Sequence, residues 1–437
     1  MTAVASVETG DRDAAIDRYR AVRDWSTRLA APLSPEDAQV QTMPDVSPTK
    51  WHLAHVTWFF ETFLLHPQLP EYAAFDPDYG YLFNSYYEAL GPRHARPQRG
   101  FLSRPSLAQV LDYRAYVDTA MARLILEAPD PVWAEIAPMV ELGLHHEQQH
   151  QELLLTDIKH VLSCNPLNPA YAEPAPAEPV YAATAGTAPA LRWVEVPGGI
   201  HSIGHAGPGF AFDNEGPRHQ VLLRDCRLAS RPVTNGEFRD FIEDGGYAEP
   251  RHWLSDGWAT VRQEGWTAPF YWRRAAADAP WQEFTLRGLW PLDPAAPVAH
   301  LSFYEAAAYA VWADARLPGE AEWEVAAARL SEPLARGANL LESGRLHPAA
   351  AADGPSLRQM IGDVWEWTQS SYAPYPGFRA AEGAVGEYNG KFMCNQMTLR
   401  GGSCVTPPGH VRATYRNFFY PHQRWQFTGL RLAQDAR

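Results

Sequence analysis

Residues 165–190 divide this chain in two. The stretch NPLNPAYAEPAPAEPVYAATAGTAPA is dominated by Pro and Ala. Proline fixes φ and lacks an N–H, so neither a helix nor a sheet can run through it, and where prolines cluster the chain is semi-extended. The stretch reads as a linker between parts that fold separately. With 437 residues the chain is also too long for one ordinary core.

The first part, residues 1–164, has helical texture. Asp13 to Leu33 is an amphipathic run. Ser47-Pro48 places a capping residue before a proline at the first helical position, opening SPTKWHLAHVTWFFETFLL. Ser106 begins LAQVLDYRAYVDTAMARLILEA, with apolar residues at three and four spacing. Pro131 precedes VWAEIAPMVELGLHHEQQHQELLLTDIKHVL. Four such helices predict an up-and-down bundle. The connection 67–104 is long and rich in Tyr, Arg, Pro and Gly, which points to a functional loop.

The second part, residues 191–437, has short β-like runs (RWVEVPGG, HQVLLRDCRLA), Gly/Pro turns and two helical pieces, Thr234–Asp244 and Ser302–Asp314. Many of the 16 Trp and 19 Tyr lie there. The expectation is an α+β domain with decorated loops and no internal repeat. The fold class of the chain is therefore multidomain, α followed by α+β.

The net charge of −14 disfavours a nucleic-acid or anionic-membrane partner, because a polyanion is repelled. Cys164, Cys226, Cys394 and Cys404 are scattered, with no CxxC spacing. That argues against a thiolate metal site or a disulfide framework and fits a reducing compartment. The acidic beginning has no apolar signal-like stretch, and no apolar run nears the ~20 residues needed to span a bilayer. A cytoplasmic location is expected; the oligomeric state is not legible.

The sharpest chemical signal is HHEQQHQE, residues 145–152. On a helix, His146 and His150 lie about 40° apart on one face, the spacing two imidazoles need to share an ion. Gln149 sits beside them and could line the pocket. Glu152 falls on another face and is better suited to holding an imidazole tautomer than to binding metal. A third ligand is available from WHLAH, as His52 or His55. Three neutral imidazoles without thiolate suit iron, zinc, copper or nickel and leave positions open.

At these residues the chain resembles the ergothioneine-biosynthesis sulfoxide synthases, including the closely similar selenoneine synthases. The likeness runs through SPTKWHLAHVTWFFETF, YLFNSYYEALGPRHARPQRGFLSRP and HHEQQHQE, then RPVTNGEF, ARLPGEAEWE, GDVWEWT, RGGSC, YRNFF and TGLRLA. The resemblance implies a DinB-like four-helix bundle and a formylglycine-generating-enzyme-like (C-type-lectin-like) domain. It implies Fe(2+) held by His55, His146 and His150, with His52 the weaker candidate. It implies hercynine as one substrate and a thiol, cysteine or γ-glutamylcysteine, as the other, joined with dioxygen into a sulfoxide. In the selenoneine branch a selenosugar replaces the thiol. One departure concerns the cysteine pair of the formylglycine-generating enzymes. Here Cys404 is accompanied only by Cys394, ten residues earlier, so oxidation of protein cysteines is not expected.

The same resemblance points to Asn417 as a contact of the betaine, with Phe418 and Phe419 shaping a wall. Gln149 is placed to reach the betaine carboxylate or imidazole. Aromatic faces suit a trimethylammonium, which has no N–H to donate. Tyr86 and Tyr87 are the expected catalytic phenols. Arg93, Arg96 and Arg99 suit a substrate carboxylate, since guanidinium pairs with it in bidentate fashion; a sugar would need fewer arginines. GDVWEWT and ARLPGEAEWE read as core packing, and RGGSC as a tight turn needing glycine. No convincing carboxylate cluster for calcium is seen. Two rival readings are a zinc-dependent thiol transferase, active without dioxygen, and a ligand-binding protein with the bundle as scaffold.

Overall fold

The computed structural model describes residues 11–172, 188–330, 335–382 and 384–436. The expected linker falls mostly on residues 173–187, outside the described residues. The described residues form two compact units. One holds the chain up to Ala172 together with Pro208–Phe210 and Ala380–Tyr388; the other holds the remainder.

The first unit is built on four helices, α1 (Arg12–Ala30), α2 (Thr49–Phe60), α3 (Leu107–Glu127) and α4 (Asp130–Ser163). Asp11 caps α1 by accepting from the Ala14 N–H. Ser106 and Gln109 close a reciprocal capping box on α3. Ser47 does not cap α2 with its side chain. Its N–H donates to Asp157 and its hydroxyl accepts from Arg99, so the residue ties the start of α2 to α4 and to the long connection. Every residue of α2 is buried, as a helix apolar on all sides must be when it runs through the middle of a bundle. It continues into a π-helical turn, Glu61–Leu65, whose Glu61 accepts from the Tyr72 and Tyr113 hydroxyls at 2.7 and 2.6 Å. The connection 67–104 holds only short helical turns.

A buried ion cluster joins all four helices. Glu147 of α4 accepts from Arg23 of α1 at 2.8 Å, from Arg114 of α3 at 2.9 Å and from Ser26 at 2.6 Å. Both arginines also donate to Thr57 of α2, and Arg23 reaches Asp118 at 2.6 Å. Burial alone would push the Glu147 carboxyl up. The two guanidiniums and Ser26 reverse that and hold it below the usual carboxylate range.

The second unit carries a four-stranded sheet in the order Asn417–Phe419, Met397–Arg400, Trp365–Ser371, Thr428–Gly429. Its first three strands are antiparallel, and the last is parallel to its neighbour. A three-stranded antiparallel sheet joins Trp193–Val196, Cys226–Ala229 and Ala433–Asp435. Helices lie at Asn235–Glu243 and Phe303–Trp312, as expected, and also at Ser255–Glu264 and Glu320–Ala328. The last two escape periodicity because they are short and carry no clean apolar stripe.

Motifs far apart in sequence meet in this unit's core. Glu366 of GDVWEWT pairs with Arg431 of TGLRLA at 2.7 Å and accepts from the indole of Trp323 of GEAEWE at 2.7 Å. Arg400 of RGGSC and Arg416 of YRNFF converge on Glu320. Gly401 has φ +105°, and a Cβ there would sit 2.8 Å from the Met360 carbonyl oxygen, so RGGSC needs glycine on both counts.

Glu147→Ala is expected to lower unfolding stability by about 3–5 kcal/mol in urea titrations, because it takes the carboxylate from buried Arg114 and one of two from buried Arg23. A loss under ~1 kcal/mol would show that the cluster does not hold the bundle.

Candidate metal centre

His146 and His150 precede Glu147 and Gln151 along α4 by one residue, or about 100° around it. Glu147 and Gln151 bond to α1 and α3. The neighbouring histidine stripe is thereby turned toward α2. There the structure brings together the three expected imidazoles. One ligand atom from each of His55, His146 and His150 lies within 4.8 Å of the others, and this is a group able to hold a metal among the described residues. The ring centroids are 4.7–4.9 Å apart.

Each ring has a defined setting. His55 lies flat between Trp51, at 4.7 Å and 12°, and Trp58, at 5.5 Å and 18°. Its Nδ1 is 2.6 Å from the Phe83 carbonyl oxygen, to which it can only donate. That leaves Nε2 as a buried lone pair with no protein partner. Both nitrogens of His146 are buried without a protein partner. His150 Nδ1 lies 2.8 Å from His52 Nδ1. His52 is therefore turned from the centre toward Asp157, 3.0 Å from its Nε2. Glu152, expected to hold an imidazole tautomer, is buried; beside His150 lie His52 and, beyond it, Asp157. His145 points away, to Arg18 and to Phe210, on which it stacks at 4.0 Å.

Burial holds the His146 imidazole down at about 3. Burial, joined by repulsion from His146, drives His55 and His150 well below the ordinary histidine range. All three are thus neutral, as metal ligation requires. Orphaned buried nitrogens, neutral rings and an all-imidazole donor set fit a divalent iron, zinc, copper or nickel ion.

Tyr388 is a residue the sequence reading missed. It belongs to the bundle's unit through Ala380–Tyr388. Its ring is 5.6 Å from that of His146, and its hydroxyl donates to Gln149 Oε1. Glu387 anchors the segment, accepting the Glu88 and Ala89 N–H groups at 3.0 Å. EYNGKF carries no local signal for this role; only the fold brings it to the histidines. Tyr87 is buried against Trp58 at 5.7 Å. Tyr86 stacks on Tyr87 at 4.6 Å and lies 6.2 Å from Tyr388.

The three arginines differ in setting. Arg93 pairs with Glu88, and Arg96 donates to the Asp45 carbonyl. Arg99 is buried, with its guanidinium carbon 3.3 Å from the Trp51 ring centroid. In the second unit, Asn417 accepts the Phe418 N–H at 2.8 Å. Phe418 stacks on Tyr372 at 4.1 Å, and Phe419 meets Trp425 edge-on at 6.0 Å. The four cysteines are free. No described helix is long and apolar enough to cross a membrane.

Fold and site together define a helical bundle with a three-imidazole centre, joined in one chain to a sheet-bearing domain. Residues 16–154 match the DinB superfamily, and residues 181–436 match the sulfatase-modifying factor enzyme 1-like domain. A hercynine oxygenase of Mycolicibacterium smegmatis is 34% identical over 97% of this chain and 99% of its own. One of Mycobacterium tuberculosis is 34% identical over 92% and 94%. A formylglycine-generating enzyme of Streptomyces coelicolor is 30% identical over 60% of this chain and 96% of its own. The chain belongs to the hercynine oxygenase family.

The folded imidazoles refuse protons that the unfolded chain accepts. Their contribution to stability is complete above the unfolded value of about 6.5 and is lost as pH falls below it. Metal-free protein is expected to lose up to about 1.4 kcal/mol per imidazole for each pH unit below that value, read as urea midpoints. Midpoints that do not move across this range would show that the rings are not held neutral.

Proposed function

We propose that the chain is a non-haem iron(II) oxidoreductase that uses dioxygen to join a sulfur atom to the imidazole ring of hercynine. The donor is a thiol, cysteine or γ-glutamylcysteine, and the product a hercynyl sulfoxide of ergothioneine biosynthesis. The reaction balances: a C–S bond forms, one C–H and one S–H bond are lost, and dioxygen leaves one oxygen on sulfur and one in water. The single observation that carries the reading is the convergence of His55, His146 and His150, with His55 Nε2 and both nitrogens of His146 buried and without a protein partner. The kinship with hercynine oxygenases supports the substrate.

Iron bound there would supply one-electron chemistry with dioxygen, at open positions where two substrates can lie side by side. The protein's own groups do the rest. His55, His146 and His150 would hold the ion. The Gln149 amide offers an N–H to the betaine carboxylate. Tyr388 holds a proton at its hydroxyl beside His146, oriented by Gln149, where it can be given up during oxygen reduction. Tyr86 and Tyr87, the phenols first expected in this role, back the segment with stacked rings.

The settings of the arginines favour a second reading, a selenoneine synthase forming a C–Se bond between hercynine and a selenosugar. Arg93 and Arg96 already have partners and Arg99 is covered by Trp51, whereas a neutral sugar needs no guanidinium.

The test is anaerobic reconstitution with iron(II), then exposure to oxygen with hercynine and each donor in parallel, followed by mass spectrometry. Product is expected only with oxygen and with a thiol. Product from the sugar alone would establish the second reading, and product without oxygen in the zinc-loaded protein would overturn both. His146→Ala should abolish product. Tyr388→Phe should keep iron but lower kcat by about 10²–10⁴-fold.

A further inference from the structure

Three side chains form a line running away from the centre: His150, His52 and Asp157. His150 Nδ1 and His52 Nδ1 are 2.8 Å apart, and His52 Nε2 is 3.0 Å from Asp157 Oδ2. His52 and Asp157 are buried. Such a line has only a few consistent proton arrangements. A carboxylate can only accept, so His52 carries its proton on Nε2 and donates it to Asp157. A doubly protonated His52 would donate to His150 Nδ1 and leave the His150 proton on Nε2, with no lone pair for a metal. In the arrangement compatible with a metal, His52 is neutral and its Nδ1 is a lone pair that can only accept. The partner at 2.8 Å, His150 Nδ1, must therefore carry a proton and donate it. His150 is left with its lone pair on Nε2.

We propose that His52 and Asp157 are positioning residues that set the tautomer and ring orientation of His150, so that Nε2 is presented to the metal as a donor. The inference deepens the metal reading above and rests on it. It gives His52, which the sequence alone offers as a rival ligand, a different task from that of His55. The two histidines sit three residues apart on α2, so they leave the helix about 60° apart. His55 faces the centre, and His52 faces α4 at His150 and at Asp157, two turns beyond. His55 reaches the same end more simply, through the Phe83 carbonyl. His146 has no such partner on either nitrogen, so the three ligands are not equally constrained. Asp157 also accepts the Ser47 N–H at 2.8 Å. That bond anchors the beginning of α2 to the same carboxylate, so the strand of contacts that orients His150 also fixes the helix bearing His55.

His52 is the residue to vary, because changing Asp157 would also release Ser47. His52→Phe keeps a ring of similar size but cannot accept. His52→Gln can accept from His150 with its carbonyl and donate to Asp157 with its amide. Cobalt(II) is titrated anaerobically into metal-free wild type and both variants. Affinity and the visible ligand-field spectrum are recorded, and circular dichroism checks folding. The wild type is expected to bind one ion. His52→Phe should bind about 10–100-fold more weakly with an altered spectrum, and His52→Gln should recover most of the affinity and the wild-type spectrum. If the wild type binds and His52→Phe matches it in affinity and spectrum, the relay is wrong while the metal centre stands. Equal loss in Phe and Gln variants would also overturn the relay, since packing rather than hydrogen bonding would then explain it. A wild type that binds no ion would remove the centre and the relay together.

Discussion

The bundle turns on the carboxylate of Glu147. It is fully buried between two guanidiniums, Arg23 and Arg114, each on a different helix, and both reach Thr57 on α2. A buried ion pair is weak evidence for stability but a strong geometric constraint, because every misaligned arrangement leaves a charge unpaired in an apolar interior. Rotating α4 by one residue would break this cluster. It would also carry His146 and His150 off the face of α2. The rotational setting of the histidine stripe therefore rests on the stripe beside it.

Around the centre, orientation comes from outside the ligands. A backbone carbonyl on one side and a carboxylate acting through His52 on the other direct lone pairs inward. Trp51 and Trp58 hold His55 as a flat ring between flat rings. Such settings restrict ligand rotation before any ion arrives, which lowers the cost of closing on one. The rings are also kept neutral by being dry, so they need not shed protons to bind.

In the second unit the same economy of charge recurs. Glu366, Arg431 and the Trp323 indole close a buried knot from three separate motifs. The knot accounts for the charges of Glu366 in GDVWEWT and Arg431 in TGLRLA, while GEAEWE supplies the Trp323 indole N–H. Glu366 and Arg431 satisfy each other although they are remote in sequence.

By itself, the sequence determined a good deal. The Pro/Ala stretch separated two textures, helical periodicity laid out four long helices, and the four-residue spacing of His146 and His150 marked a candidate metal face. These are local properties, set by 3.6-residue periodicity and by what proline forbids. Local reasoning could not choose between His52 and His55, since both lie on one short helix near the same partner. Nor could it see that Glu147, one letter in a run of polar residues, is buried and paired. It could not find Tyr388, more than two hundred residues from His146. It took Arg93, Arg96 and Arg99 as one cluster, although they have three different surroundings. Those matters belonged to the tertiary structure, because a partner's identity depends on which distant atoms packing brings within 3 Å, and no periodicity encodes that.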